Sequence, residues 1–247
     1  MKRLIKSAIR PLLRNLGART YPPDFSEQHQ RICDTVAPFT MTSPERVQAL
    51  INAVQYVVAN NIEGAMVECG VWRGGSAMAM ALTLSDLGIQ DRDLYLYDTF
   101  SGMSAPSDLD VSIRGVTAHE KFTKTKLSDN SSNWCLSPSH EVKENVLSTG
   151  YPEARLHLVK GKVEDTIPGT VPKQIALLRL DTDWYESTKH ELIHLFPLLT
   201  PNGVLIIDDY GDWQGARKAV DEFIAGNRIP ILLNRIDYTG RIGVKTA

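Results

Sequence analysis

Carboxylates close four short, largely apolar runs of this chain. Glu68 follows Ala65-Met66-Val67. Asp98 follows Leu94-Tyr95-Leu96-Tyr97. Asp181 follows the run from Ile175 to Leu180, and Asp208-Asp209 follow Val204-Leu205-Ile206-Ile207. If these runs are neighbouring strands, about 4.8 Å apart, Asp181 on one and Asp208 and Asp209 on the next can converge. Two like charges 4 Å apart repel by about 4 kcal/mol at an effective dielectric of 20. Three such acids therefore need a shared proton or a cation. With no Cys or His beside them, an all-oxygen set favours Mg²⁺ or a similar hard ion. The competing reading is a helix cap at Asp209 or Asp212 and a turn hydrogen bond at Asp181. A cap accounts for one acid and not for three.

The run ending at Glu68 leads into Cys69-Gly70-Val71-Trp72-Arg73-Gly74-Gly75-Ser76. Glycines there let backbone N–H groups approach a ligand closely. The turn is not a P-loop, because no Gly-Lys-Ser/Thr closes it, and it is not a GxGxxG dinucleotide turn. Its acid precedes the first glycine, which suits a cationic ligand better than a pyrophosphate. A nucleoside-linked amino acid with a positive sulfonium, S-adenosylmethionine, fits. Asp98 closes the second strand, where a carboxylate can accept both hydroxyls of an adenosine ribose. The plain alternative is a tight turn with a capping acid.

These side chains need a frame that holds strand ends together. Between the strands lie helix-like segments: Ser43-Pro44-Glu45 reads as a cap with Pro at N1, followed by Val47, Leu50, Ile51, Val54, Val57 and Val58 at helical spacing. Further helices are expected over about 76–87, 186–199 and 215–225, and a strand over Leu156–Val159. Apolar strands alternating with helices imply an α/β fold of the Rossmann-like kind: a mainly parallel sheet with helices on both faces. Ile231-Leu232-Leu233 and Ile242-Gly243-Val244 read as a C-terminal antiparallel hairpin. Ligands of such sheets sit beyond the carboxyl ends of the strands, where the acids cluster. Residues 99–150 read as polar and irregular, with Ser128 to Ser139 the least structured part. A long insertion, about 104–148, inside a compact domain is commonly functional.

The composition is that of a globular protein: 247 residues, 43% hydrophobic and 23% charged, with a net charge of −2. The basic residues are uneven. Lys2, Arg3, Lys6, Arg10, Arg14 and Arg19 stand in the first twenty residues without an acid, so the rest is acidic. An acidic body excludes generic nucleic-acid binding. Cys33, Cys69 and Cys135 form no CxxC pair, which argues against a disulfide framework or a cysteine zinc site. No membrane span or export signal is read, and a cytoplasmic location is expected. Leu4, Ile5, Ala8, Ile9, Leu12, Leu13 and Leu16 form a basic amphipathic stripe. It is expected to pack on protein, as a lid or a homo-oligomer contact, rather than on lipid. Residues 1–39 are thus set apart from a domain over 40–247.

Asp181-Thr182-Asp183 is also a D-x-D. It leaves open a metal-dependent glycosyltransferase using Asp181 and Asp183, although that reading does not explain the glycine turn. A non-catalytic cofactor-binding scaffold is the third alternative. His190 and His194 stand one helical turn apart, but flanking Lys189 and Glu191 read as a solvated face.

Taken together, Val67-Glu68-Cys69-Gly70-Val71-Trp72-Arg73-Gly74-Gly75-Ser76, Tyr97-Asp98-Thr99-Phe100-Ser101-Gly102-Met103, Gly161-Lys162-Val163-Glu164-Asp165-Thr166-Ile167-Pro168, the stretch from Leu178 to Thr188, and Asp208-Asp209-Tyr210-Gly211 resemble the TylF-type macrocin O-methyltransferases. The resemblance covers roughly residues 40 to 245. It implies a class I methyltransferase fold, S-adenosylmethionine, Mg²⁺, and methylation of a sugar hydroxyl on a glycosylated natural product. By motif, it implies that Asp181, Asp208 and Asp209 are metal ligands and that Asp181 is also the general base. It places Glu68, Gly70 and Ser76 along the methionine and ribose, Asp98 on the ribose hydroxyls, Val163 and Glu164 at the adenine edge, and Met41 and Thr42 in a segment over the cofactor. The insertion then shapes the acceptor pocket.

Overall fold

The computed structural model describes residues 21–246. The amphipathic segment over residues 2–16 lies outside them. Five parallel strands form most of one sheet: β1 (Ala65–Cys69), β2 (Leu94–Asp98), β5 (Leu156–Lys160), β6 (Ile175–Leu180) and β7 (Leu199–Ile207). The sheet continues antiparallel through β9 (Arg241–Val244) to β8 (Asn234–Arg235), in the order β5-β2-β1-β6-β7-β9-β8. The hairpin is present, but its first arm pairs at Asn234–Arg235 rather than at 231–233. Ile231 and Leu233 pack their side chains on the core instead of pairing.

The strands are apolar on both faces because both are covered. Met66, Val204 and Ile206 point to one core, and Ala65, Val67, Leu205 and Ile207 point to the other, following the period of two along each strand. The first core is closed by α1 (Glu27–Val36), α2 (Pro44–Ala59) and α3 (Gly75–Asp86). Ser43 caps α2 by accepting from Arg46 N at 3.2 Å, with Pro44 in the first turn, as its sequence requires. Most of α3 is buried, so it is rich in Ala and Met and lacks a polar stripe. The second core is closed by α6 (Val163–Thr166), α7 (Tyr185–Leu195) and α8 (Gln214–Asn227).

The chain runs outward from β1 to β2 to β5, then crosses back to place β6 on the other side of β1. That reversal opens a crevice above β1 and β6. Gly70 makes the approach of the two strand ends achievable. Its φ is +83°, and a Cβ there would lie 2.0 Å from the Asp181 carbonyl oxygen.

The insertion is more ordered than its composition suggests. It contains α4 (Ala118–Thr125), a two-stranded ribbon of β3 (Lys126–Ser128) with β4 (Ser131–Ser132), and α5 (Ser139–Leu147). Val142 and Val146 of α5 are fully buried in the first core. Asp110 pins the other end. Its Oδ2 accepts from Ser107 N at 2.7 Å and Ser107 Oγ at 2.8 Å, and its Oδ1 accepts from Tyr185 N at 2.8 Å. That last bond satisfies a backbone donor at the start of α7, where a negative charge is also favoured by the helix dipole.

Asp110→Ala strands the buried Tyr185 N–H and removes three charge-assisted bonds. We expect a loss of about 2–3 kcal/mol of stability, read as a lower urea midpoint with an unchanged m-value. An unchanged midpoint would show that the insertion is held by its apolar contacts alone.

Candidate active site

A cleft of about 370 Å³ opens at the carboxyl ends of the strands, within the range of small-molecule sites. Met41, Thr42, Glu68, Gly70, Ser76, Asp98, Val163, Glu164, Asp181, Asp208 and Asp209 all border it. The structure therefore brings every candidate residue to one cavity. It also brings in Asp183, the second acid of the D-x-D, and adds residues that sequence reasoning did not assign: Arg46, Lys121, Trp134 and Trp213.

The acids are not balanced by cations left to solvent. Arg179, the penultimate residue of β6 and only 2% exposed, faces Glu68 across the β1–β6 register. Its Nη1 donates to Glu68 Oε1 at 2.7 Å and to Asp181 Oδ2 at 2.6 Å. Its Nη2 donates to Asp208 Oδ1 at 2.5 Å and to Thr42 Oγ1 at 3.1 Å. Arg46, from the first turn of α2, pairs with the other oxygen of Asp208 and with Asp237. The expectation that three converging acids need a proton or a metal thus omitted a third device, a buried guanidinium.

Two arginines do not saturate the site. One oxygen from each of Asp181, Asp208 and Asp209 lies within 4.8 Å of the others. Asp209 Oδ2 is buried without a hydrogen-bond partner. Burial pushes the carboxyls of Asp181 and Asp209 well above the usual range. For Asp181 the Arg179 charge opposes burial, whereas the neighbouring acids add to it. Asp183 stands against Asp209, and burial brings it to about 7. Such a set of crowded oxygens with an orphaned buried lone pair suits a hard divalent cation. Among the described residues it is the one cluster of this kind.

The glycine turn is a second binding feature. Gly70 N donates to Tyr97 O at 2.8 Å. Asp98 accepts from Val71 N at 2.7 Å and Trp72 N at 3.0 Å through Oδ2, and from Phe100 N at 2.8 Å through Oδ1. Its carboxylate therefore shapes both turns as well as facing the cleft. Glu68 is 1% exposed, and its Oε2 has no hydrogen-bond partner. Burial raises its pKa to about 7 against the pull of Arg179. A buried acceptor without a donor, beside a glycine turn, fits the ammonium of an amino-acid ligand.

Three of the chain's four tryptophans converge on the far wall. Trp184 is 3% exposed and tied through Nε1 to Ser104 O at 3.2 Å. Trp134 and Trp213 border the cleft and meet Trp184 edge-on at ring distances of 5.5 and 5.0 Å. Lys121 Nζ lies 4.0 Å from the Trp134 ring centre.

The helix after β6 differs from its expected solvated face. Glu191 is fully buried and accepts from Thr182 Oγ1 at 2.9 Å. Burial holds it well above the usual carboxylate range. His190 Nε2 bonds Ile167 O at 2.8 Å. This helix packs its polar middle against the D-x-D loop and α6, so charged residue types there were misleading.

Comparison with known proteins agrees with this geometry. The macrocin-O-methyltransferase (TylF) family model matches residues 15–243. An 8-demethyl-8-(2,3-dimethoxy-alpha-L-rhamnosyl)-tetracenomycin-C 4'-O-methyltransferase of Streptomyces olivaceus is 32% identical over 81% of this chain and 73% of its own length. A demethyldecarbamoylnovobiocin O-methyltransferase of Streptomyces niveus is also 32% identical, over 81% of this chain and 73% of its own. Among solved structures, the O-methyltransferase NovP superposes with a TM-score of 0.75 at 29% identity, covering 85% of this chain and 83% of that one. The calicheamicin methyltransferase CalS11, at 19% identity and a TM-score of 0.57 over 92% of this chain and 94% of that one, shares the fold. The chain belongs to the macrocin-O-methyltransferase family and is an S-adenosylmethionine-dependent O-methyltransferase.

Proposed function

We propose that this enzyme methylates a sugar hydroxyl of a glycosylated natural product, with Mg²⁺ held by Asp181, Asp208 and Asp209. The observation that carries the metal is the oxygen cluster with its orphaned Asp209 Oδ2. The sugar acceptor is supported by the Streptomyces olivaceus relative, which is named for a rhamnosyl-bearing product, and by Trp134 and Trp213 on the cleft wall. A pyranose presents C–H faces that pack on aromatic rings, and its hydroxyls reach polar neighbours. This family membership removes the glycosyltransferase and scaffold alternatives for Asp181 and Asp183.

S-adenosylmethionine supplies an electrophilic methyl on its sulfonium. Mg²⁺ supplies positive charge that favours loss of the acceptor's hydroxyl proton. The chain does the rest. Asp181 takes that proton: its carboxylate borders the cleft beside the oxygen cluster, where the acceptor hydroxyl must arrive. Glu68 accepts from the cofactor's ammonium. Asp98 holds the turn that carries Gly70, and the one lone pair that its three backbone donors leave, on Oδ1, would accept from a ribose hydroxyl. Ser76 lines the same side. Val163 and Glu164 line the cleft where they would edge the adenine, and Thr42, fixed by Arg179, would carry Met41 over the cofactor. Alignment of the two reacting groups supplies much of the rate.

The direct test is transfer of labelled methyl to a panel of glycosylated natural products, with and without EDTA. Turnover should vanish with EDTA and return with Mg²⁺. Full turnover in EDTA would overturn the metal assignment.

Four substitutions separate the roles. Asp98→Ala should weaken S-adenosylhomocysteine binding by roughly 1.5–3 kcal/mol, and unchanged affinity in calorimetry would remove Asp98 from the cofactor site. Asp181→Asn should cost 10²–10⁴-fold in turnover at saturating Mg²⁺. Asp208→Asn should mainly raise the Mg²⁺ requirement and recover in part with excess metal. If excess Mg²⁺ restores Asp181→Asn to the parent rate, Asp181 is a ligand and not the base. Trp134→Ala should raise the acceptor KM about threefold to tenfold, from the loss of one aromatic contact. Cofactor affinity should stay constant, and a KM that does not move places the sugar elsewhere.

A further inference from the structure

Arg179 touches both halves of the site at once. Its guanidinium carries one charge and faces three carboxylates: Glu68 on the glycine-turn side, and Asp181 and Asp208 in the oxygen cluster. Nη1 is shared between the two sides, with Glu68 Oε1 at 2.7 Å and Asp181 Oδ2 at 2.6 Å. At 2% exposure no bulk water can replace a bond that Arg179 gives up. The strand register adds rigidity, since Glu68 and Arg179 are paired residues of β1 and β6.

We propose that Arg179 is a positioning residue that makes the binding of the divalent cation and of the cofactor mutually reinforcing. A cation drawn to Asp181 and Asp208 competes with Arg179 for the oxygens it now bonds. The guanidinium's remaining anionic partner is Glu68. Its full attraction then falls on Glu68 Oε1, which fixes that carboxylate in its charged form and holds Oε2, without a partner in the protein, ready for an ammonium. The reverse holds by linkage: a cofactor that fixes Glu68 draws Arg179 toward it and frees oxygens of Asp181 and Asp208. Direct repulsion between two bound cations works against this, so any reinforcement must come through the protein.

The inference rests on the proposed metal and cofactor roles, and the test separates the two. Calorimetry on the full chain measures S-adenosylhomocysteine affinity with and without Mg²⁺, and Mg²⁺ affinity with and without S-adenosylhomocysteine. That ligand lacks the sulfonium charge, which keeps direct repulsion small. We expect each ligand to tighten the other by the same factor, about fivefold or more, the low end of coupling between sites. Arg179→Lys keeps the charge but cannot bridge three carboxylates with a planar fork. In it the factor should fall to one or below while both ligands still bind. Glu68→Gln removes the receiving charge and should also abolish the coupling. It serves as the second variant if circular dichroism shows that Arg179→Lys is unfolded. Failure of Mg²⁺ to bind the parent enzyme overturns the metal reading and the inference together. Binding of both ligands without coupling, or coupling that survives in a folded Arg179→Lys or in Glu68→Gln, overturns the inference alone.

Discussion

The carboxyl edge of the sheet crowds acids into a partly desolvated space, and the surrounding packing answers that charge. Glu68, Asp181, Asp183, Asp208 and Asp209 all border the cleft. Arg179 meets three of them from within β6, and Arg46 reaches Asp208 from α2. Arg46 also holds Asp237, which accepts from Ser43 Oγ at 2.7 Å and from Gly240 N at 2.8 Å. The cap of α2, the end of β7 and the turn between β8 and β9 are therefore joined through two guanidiniums. Buried ion pairs seldom add net stability, because desolvation offsets the attraction. Apolar side chains in the same places would fold at least as readily. The polar network is better understood as what chemistry demands of the fold.

Much of this was legible in the sequence, for a specific reason. Strands buried on both faces are apolar until they end, so an acid that closes one is conspicuous. Glu68, Asp98, Asp181 and Asp208 were each marked this way, and the α/β order placed them on one edge. Arg179 was not marked. A lone cation inside Ile175–Leu180 reads as an interruption of the strand, and its partners lie 111 positions back and 29 ahead. The aromatic wall was equally hidden, because Trp134, Trp184 and Trp213 meet only once the insertion folds back over α7 and α8.

The errors have physical causes too. The insertion read as irregular because its helices are short and mostly polar, with a few anchors such as Val142, Val146 and Phe122 burying them. Glu191 read as solvated because charged residues usually are. Its burial follows from Thr182, whose hydroxyl needs a partner where the D-x-D loop meets α7. The C-terminal hairpin was displaced by three residues because Ile231 and Leu233 are apolar for packing and not for pairing.

The insertion is fastened to the sheet edge at several points: Asp110 at the head of α7, Ser112 bridged to Trp213, Trp184 bonded to Ser104 O, Gly102 against Ser132, and the apolar face of α5. Glu68, Asp98, Asp181, Asp208 and Asp209 all lie outside it. The aromatic wall is shared: Trp134 comes from the insertion, and Trp184 and Trp213 from the heads of α7 and α8. Substitution at Trp134 changes the wall without touching the acids, which lie outside the insertion. On the proposed reading, acceptor preference can change at the insertion's side of that wall while the acids at the sheet edge keep their places.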